Sequence, residues 1–366
     1  MNKHLKILFA LTVVLTLVLT ACAPAATQAP AATEAPAVAT EAPAAATEAP
    51  AVATEAPAVA TEAPAVATEA PAKKVKVAVL FPGVVSDQSW NQFGYEGLKK
   101  AETDCNLETA YAEDVFQDKQ LETLRNYAAE GYDIIISHGG EYADSVTKAA
   151  AEYPDLWFGI TNGAAEGANV SAMIIGYNQM SYLAGVLACN MTKTDHIGFV
   201  GGESIPVVDE GAKAYENGAQ ACGKTVKVDV VYTGNWADVT KAREAGLSVI
   251  AGGADVLYHI LDTADAGLIA AAEDKGVFAI GLYRDSSGLG KKAVIGSALG
   301  HPGTMIYELA CGKIPKGQKT WLNVHTPNGV GMHMTDLVPA EVQAKVKAIL
   351  DEMVADKMII KNMGEP

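Results

Sequence analysis

The chain has 366 residues, with 27 Lys and Arg against 43 Asp and Glu, for a formal charge of −16. That length exceeds one ordinary domain and fits two of roughly 150 residues plus extra segments. Aromatics at 7% and charged residues at 19% are low, and the shortfall is local: residues 23–72 are almost wholly Ala, Pro, Thr, Glu and Val. With Lys3, Lys6 and the glutamates of that stretch set aside, a body of about 294 residues remains, carrying about −12. An acidic body repels phosphate backbones and anionic lipid heads, which excludes nucleic-acid binding.

In chain order, residues 1–22 combine a basic start, an apolar run over 7–19 and the close Leu19-Thr20-Ala21-Cys22. This is the pattern of a secretory signal, and its apolar run falls short of the ~20 residues a membrane span needs. The ending is similar to the lipobox of bacterial lipoproteins, which implies a lipid on Cys22 and a place on the extracytoplasmic face of the cell membrane. A plain cut at Ala21-Cys22-Ala23 is the alternative. Residues 23–72 repeat Thr-Glu-Ala-Pro-Ala-Val-Ala. A proline in each repeat breaks helix, and there is no large apolar residue to form a seam, so an extended, disordered linker is expected.

From Lys73 the pattern changes. Short apolar runs predict strands over 75–81, 107–112, 132–137, 156–160 and 170–177. Helical spacing falls at 90–104, 119–130, 142–152 and 180–191. The series then restarts, with strands over 196–201, 226–232, 255–260 and 278–282 and helices over 207–222, 238–251 and 264–275. Strands that are apolar throughout, alternating with helices, predict parallel sheets covered on both faces. The expected fold is α/β: two doubly wound, Rossmann-like lobes, 73–193 and 194–295, each taking part of 296–366. The late segments 294–299, 302–311 and 340–356 are left over, so the chain is expected to cross back and form a hinge of several strands of chain.

Four cysteines remain: Cys105, Cys189, Cys222 and Cys311. Their spacing has no zinc pattern. A body of this size does not need disulfides, so four buried free thiols are expected. The histidines show no metal pairing, and neither metal nor cofactor is expected. His138 and His259, at strand ends, are read as structural.

In open parallel sheets a ligand sits beyond the carboxyl ends of the strands. The strand-end loops carry Asp87, Trp90 and Asn91, then His138 and Tyr142, and from the second lobe Trp236, Asp262, Tyr283 and Asp285. Trp90 and Trp236, one from each lobe, suit a sandwich around a flat ring, with the carboxylates and Asn91 meeting its polar edges. The competing assignment makes the tryptophans edge covers and Asp87 and Asp238 helix caps.

Ser86-Asp87-Gln88-Ser89-Trp90-Asn91 followed by Glu96-Gly97-Leu98 resembles the signature of the basic membrane protein family of substrate-binding lipoproteins. Tyr182-Leu183-Ala184-Gly185, the run 197–202 with Ile205-Pro206, the loop 234–238 and the run 275–281 also fit, so the resemblance spans about residues 74–360. It implies a type I periplasmic-binding-protein architecture. It also implies capture of a purine nucleoside or base for an ABC importer's permease and no catalysis; a monomer is expected. Carried over by position, Trp90 and Trp236 stack on the base, Asp87 and Asn91 meet its edge, and Asp262 and Asp285 line the second wall. Tyr283 stands where nucleoside-binding members have an Asp that takes ribose hydroxyls, which leaves the free base, or another flat heterocycle such as riboflavin, open. The alternatives are a ligand-sensing lipoprotein, a sugar receptor and an extracytoplasmic enzyme. For the enzyme, the sequence has neither G-x-S-x-G nor a dinucleotide fingerprint.

Overall fold

The computed structural model describes residues 73–366. The expected leader, linker and Cys22 lie outside the described residues. Within them the apolar runs form two six-stranded sheets. The first contains β1 (Lys76–Leu80), β2 (Glu108–Ala112), β3 (Ile134–His138), β4 (Trp157–Thr161), β5 (Val170–Ile175) and the late β11 (Lys319–Leu322). Its order is β11-β5-β4-β3-β1-β2, all parallel. The second contains β6 (His196–Gly201), β7 (Lys227–Tyr232), β8 (Val256–Ile260), β9 (Phe278–Tyr283), β10 (Val294–Leu299) and β12 (Gly331–Met334), in the order β12-β10-β9-β8-β6-β7. Only β12 runs antiparallel, along β10. The sheets are built alike, and β3, β5, β6 and β8 are buried along their whole length, as strands covered on both faces must be.

Helices α1 (Trp90–Asp104), α2 (Gln120–Ala129) and α3 (Ala143–Glu152) cover the first sheet. The returning α8 (Pro302–Ala310) joins them and packs on α1 and on β3, β4 and β5. The α1–α8 approach is close enough to require glycine: a Cβ on Gly97 would lie 2.1 Å from the Gly303 carbonyl oxygen. Helices α5 (Pro206–Ala219), α6 (Val239–Ala251), α7 (Asp265–Lys275) and α9 (Ala340–Val354) belong to the second lobe. So does α4 (Tyr177–Met191), which packs on α5, α9, β8, β10 and β12. The sequence pattern places α4 with the first lobe, up to residue 193. The chain instead passes over near Gly176, because the α4 sequence is buried almost all round and needs the second lobe's surfaces to cover it. It crosses back between β10 and α8, and again between β11 and β12. These three connections make the expected hinge.

The cysteine expectation is corrected. Cys105, just after α1, and Cys311, just after α8, form a disulfide across 206 residues of sequence. Cys189 and Cys222 are free, the first buried and the second partly so. Among the described residues no helix is long and apolar enough to cross a membrane, and no group of His, Cys, Asp or Glu is placed to hold a metal.

Candidate functional site: the interlobe cleft

The loop after β1 meets the loops after β8 and β9 through the Trp90–Asp262 and Gln88–Arg284 hydrogen bonds. Asp87 shapes the first wall. Its Oδ1 accepts from the backbone amides of Ser89 and Gln92, both at 2.9 Å. Its Oδ2 accepts from the Asn91 amide at 3.0 Å and from Asn91 Nδ2 at 2.7 Å. The carboxylate thus satisfies orphan donors at the start of α1, the structural role weighed for it. Asn91 is buried with its Nδ2 committed to Asp87, while its Oδ1 has no hydrogen-bond partner. Asp238 likewise caps α6, accepting from the Lys241 amide at 3.0 Å.

Trp90 is fixed by His138. The indole and imidazole stack at 4.3 Å between centroids and 12° between planes, and the indole Nε1 donates to the His138 carbonyl at 3.2 Å. His138 Nε2 lies 2.9 Å from the Trp90 carbonyl, which only accepts, so this nitrogen carries the proton. Nδ1 is then the acceptor and receives the Thr161 hydroxyl at 3.1 Å. Burial holds His138 at about 4, well below the usual histidine range, with the Trp90 carbonyl as a smaller opposing influence. The ring is neutral and structural, as expected. His259 is less well served: Nδ1 accepts from the Leu261 amide at 3.3 Å, but Nε2 is buried without a partner.

Asp262 reaches across from the second lobe. Its Oδ1 accepts from the Trp90 amide at 3.0 Å, while its own backbone amide donates to the Trp236 carbonyl at 3.1 Å. The backbones of the two tryptophans, one from each lobe, therefore meet at one aspartate. The Trp236 ring lies over Gly202, where a Cβ would come within 2.2 Å of the indole. Burial, then the nearby Asp87 charge, raises the Asp262 carboxyl to about 6. Burial also raises Asp265 to about 6, against the pull of Arg284.

Tyr283 closes the floor. Its hydroxyl meets that of Tyr177, and its ring lies 6.0 Å from Trp90 and 6.5 Å from Phe93. It holds a left-handed backbone, φ 66°, at the end of β9. Gln88, on the opposite wall, holds φ 61°. A left-handed backbone at a bulky residue such as Tyr283 costs on the order of 1–3 kcal/mol and clusters at functional sites. Arg284 joins the two walls: its guanidinium donates to the Gln88 carbonyl and sits 5.0 Å from the centre of the Phe93 ring.

The structure therefore brings together Asp87, Trp90, Asn91, Trp236, Asp262 and Tyr283. Two expected site residues lie elsewhere. Tyr142 is fully buried among Leu80, Leu124, Ile135 and Phe158 on the far side of the first sheet, its hydroxyl donating to the Val115 carbonyl at 3.0 Å. A short 3-10 turn over Gly140–Tyr142 rotates it inward. Asp285 is exposed, accepts from the Ser287 amide at 2.9 Å, and has His333 Nε2 at 3.6 Å. Conversely, Asp265, Tyr177 and Phe93 were not singled out from sequence. Asp265 looked like an ordinary first-turn helix acid, and the other two like core residues. Two surface cavities, of about 360 and 490 Å³, open away from the cleft, one near Asn178 and Ile359 and the other beside the Cys105–Cys311 bond.

Two mostly parallel sheets joined by three connections, with aromatic and carboxylate groups meeting at strand-end loops, define a two-lobed substrate-binding protein of the type I periplasmic class. Residues 74–363 match the family described as ABC transporter substrate-binding protein PnrA-like, Bmp, and the chain belongs to that family. It is 30% identical over 247 residues to a Bacillus subtilis protein named transcriptional activator protein med, covering 66% of this chain and 75% of that one. It is 28% identical over 293 residues to the ABC transporter nucleoside-binding protein BmpA of Lactococcus lactis, covering 73% and 83%. A solved ABC transporter solute-binding protein from Conexibacter woesei shares the fold, with a TM-score of 0.62 at 24% identity over 79% of this chain and 99% of that one. The family resemblance expected from the Asp87–Asn91 signature is thereby borne out, as is the fold class.

Proposed function

We propose that the protein is a lipid-anchored, extracytoplasmic receptor that captures a purine nucleoside or purine base between its lobes and delivers it to an ABC importer's permease without turning it over. The observation that carries this reading is that the backbones of Trp90 and Trp236, from opposite lobes, meet at Asp262. One face of the Trp90 indole is taken by His138, so its other face serves the ligand, with Trp236 as the opposing wall. Asp87 positions Asn91, whose unpartnered Oδ1 accepts a donor from the base edge. Asp262 exchanges its bond to the Trp90 amide for ligand donors, and the Tyr283 hydroxyl lies beneath. Ligand contacts to both walls stabilise the closed form, which is the form a permease can distinguish from the empty, open one.

Thermal-shift measurements with nucleosides, bases, pentoses and riboflavin test the ligand class. Stabilisation of about RT ln(1 + [L]/Kd), some 2.7 kcal/mol at a hundredfold excess over Kd, is expected for a purine. No shift with any purine at millimolar concentration overturns the reading. For the anchor, radiolabelled palmitate should label the wild-type chain in a bacterial host and not the Cys22→Ser variant; equal labelling of both refutes it.

A further inference from the structure

Helices α4 and α5 pack backbone against backbone. Glycines permit it: a Cβ on Gly185 would lie 2.3 Å from the Tyr215 carbonyl oxygen, and one on Gly218 2.1 Å from that of Tyr182. Four residues beyond each glycine stands a cysteine, Cys189 on α4 and Cys222 just past α5. Both are free. The Cys189 thiol donates to the Val186 carbonyl at 3.4 Å and lies 3.9 Å from the Gly218 carbonyl on the facing helix. The Cys222 thiol donates to the neighbouring Ala219 carbonyl at 3.5 Å. Both sulfurs therefore touch the same final turn of α5.

The geometry points to Cys189 and Cys222 as a second, reversible disulfide site, one that ties the end of α4 to the end of α5. Cys222 is the accessible member and Cys189 the buried one. The neighbouring Lys224 ammonium is held by the Asp195 carboxylate and the Thr192 carbonyl. Because Cys222 is partly exposed and Cys189 is buried, Cys222 attacks first and Cys189 resolves. The oxidant is a small-molecule disulfide or a dithiol oxidase of the same chemistry. The Cys222 thiolate attacks one of its sulfurs, forming a mixed disulfide and releasing one thiol. Cys189 then displaces the second thiol, giving up its own proton. The two protein thiols lose two electrons and two protons in all, and the oxidant is reduced to two thiols. The bond would pin α4, the helix by which the chain enters the second lobe, and does not depend on which ligand the cleft takes.

The test equilibrates the full chain with oxidised glutathione, blocks remaining thiols with N-ethylmaleimide under denaturing conditions, and maps peptides without reduction. The expected result is a cross-linked pair containing Cys189 and Cys222 in addition to the Cys105–Cys311 pair. A loop of about 34 residues is closed, so the melting temperature should rise by roughly 5 °C, reversibly with a dithiol and not at all in Cys222→Ser. Cys222→Ser is the chosen variant because it leaves buried Cys189 in place. Quantitative maleimide labelling of both residues, or Cys222 left as a lasting glutathione adduct, would overturn the assignment.

Discussion

Lobe closure should weaken as pH rises through about 6, and Asp262 is the reason. In the closed arrangement its carboxyl is held at about 6, first by burial and then by the Asp87 charge on the opposite lobe. Separating the lobes removes both influences and returns it toward the ordinary aspartate value near 3.9. The closed form therefore binds more protons between about pH 4 and pH 6. The sign is opposite to that of a salt-bridged aspartate: closure is fully supported below the open-state pKa and loses that support as pH climbs through the closed-state one. Two units of difference correspond to on the order of 100-fold in the closing equilibrium, since each unit is tenfold. Asp265, also raised to about 6 by burial, acts in the same direction where closure covers it. Small-angle scattering of the ligand-free protein from pH 4.5 to 7.5 reads this as an increase in radius of gyration. Asp262→Asn keeps an oxygen for the Trp90 amide and removes the titration, so it should stay closed with little pH dependence. A wild-type protein that opens on acidification, or an Asn variant with an unchanged midpoint, refutes the reasoning.

Trp236→Ala should weaken purine affinity by about 10- to 100-fold, from roughly 1–3 kcal/mol of lost stacking, with little effect on the melting point of the empty protein. Calorimetric titration checks the first and scanning calorimetry the second. Trp90→Ala should lose similar affinity but also stability, because it uncovers His138 and frees the His138 carbonyl. Cys105→Ser removes the clasp between α1 and α8, whose long loop implies a cost of about 3–5 kcal/mol, read as a lower urea midpoint. His138 sits at about 4 in the fold against about 6.5 unfolded, so its contribution is present above pH 6.5 and drains away as pH falls toward 4. Urea titrations of wild type and His138→Gln across that range should show the wild type losing stability more steeply.

Most of the architecture was legible because the strands of a doubly covered sheet are continuous apolar runs, and β1, β3, β6 and β8 announce themselves that way. The short β11 and β12 did not: four residues each, Lys-Thr-Trp-Leu and Gly-Met-His-Met, only partly buried, they take strand form by pairing with β5 and β10. The strand-end rule put Asp87, Trp90, Asn91, Trp236, Asp262 and Tyr283 on loops at strand ends, because chain topology alone fixes where such loops lie. It could not foresee that Tyr142 would turn inward after Gly139-Gly140. Nor could it foresee that Asp285 would face solvent while Asp265, three residues past Asp262, would be partly buried. The Cys105–Cys311 bond was equally hidden, since it depends on α8 returning to α1 after the whole second lobe.

The most direct measurement is calorimetric titration of the purified wild-type chain with adenosine, guanosine, inosine, adenine, guanine and hypoxanthine, repeated on Trp236→Ala and Asp262→Ala. Saturable one-to-one binding of at least one of these by wild type, weakened tenfold or more in each variant, is the predicted result. Absence of heat from every purine, or binding that both variants retain in full, would contradict the cleft around Asp262 as the site of capture.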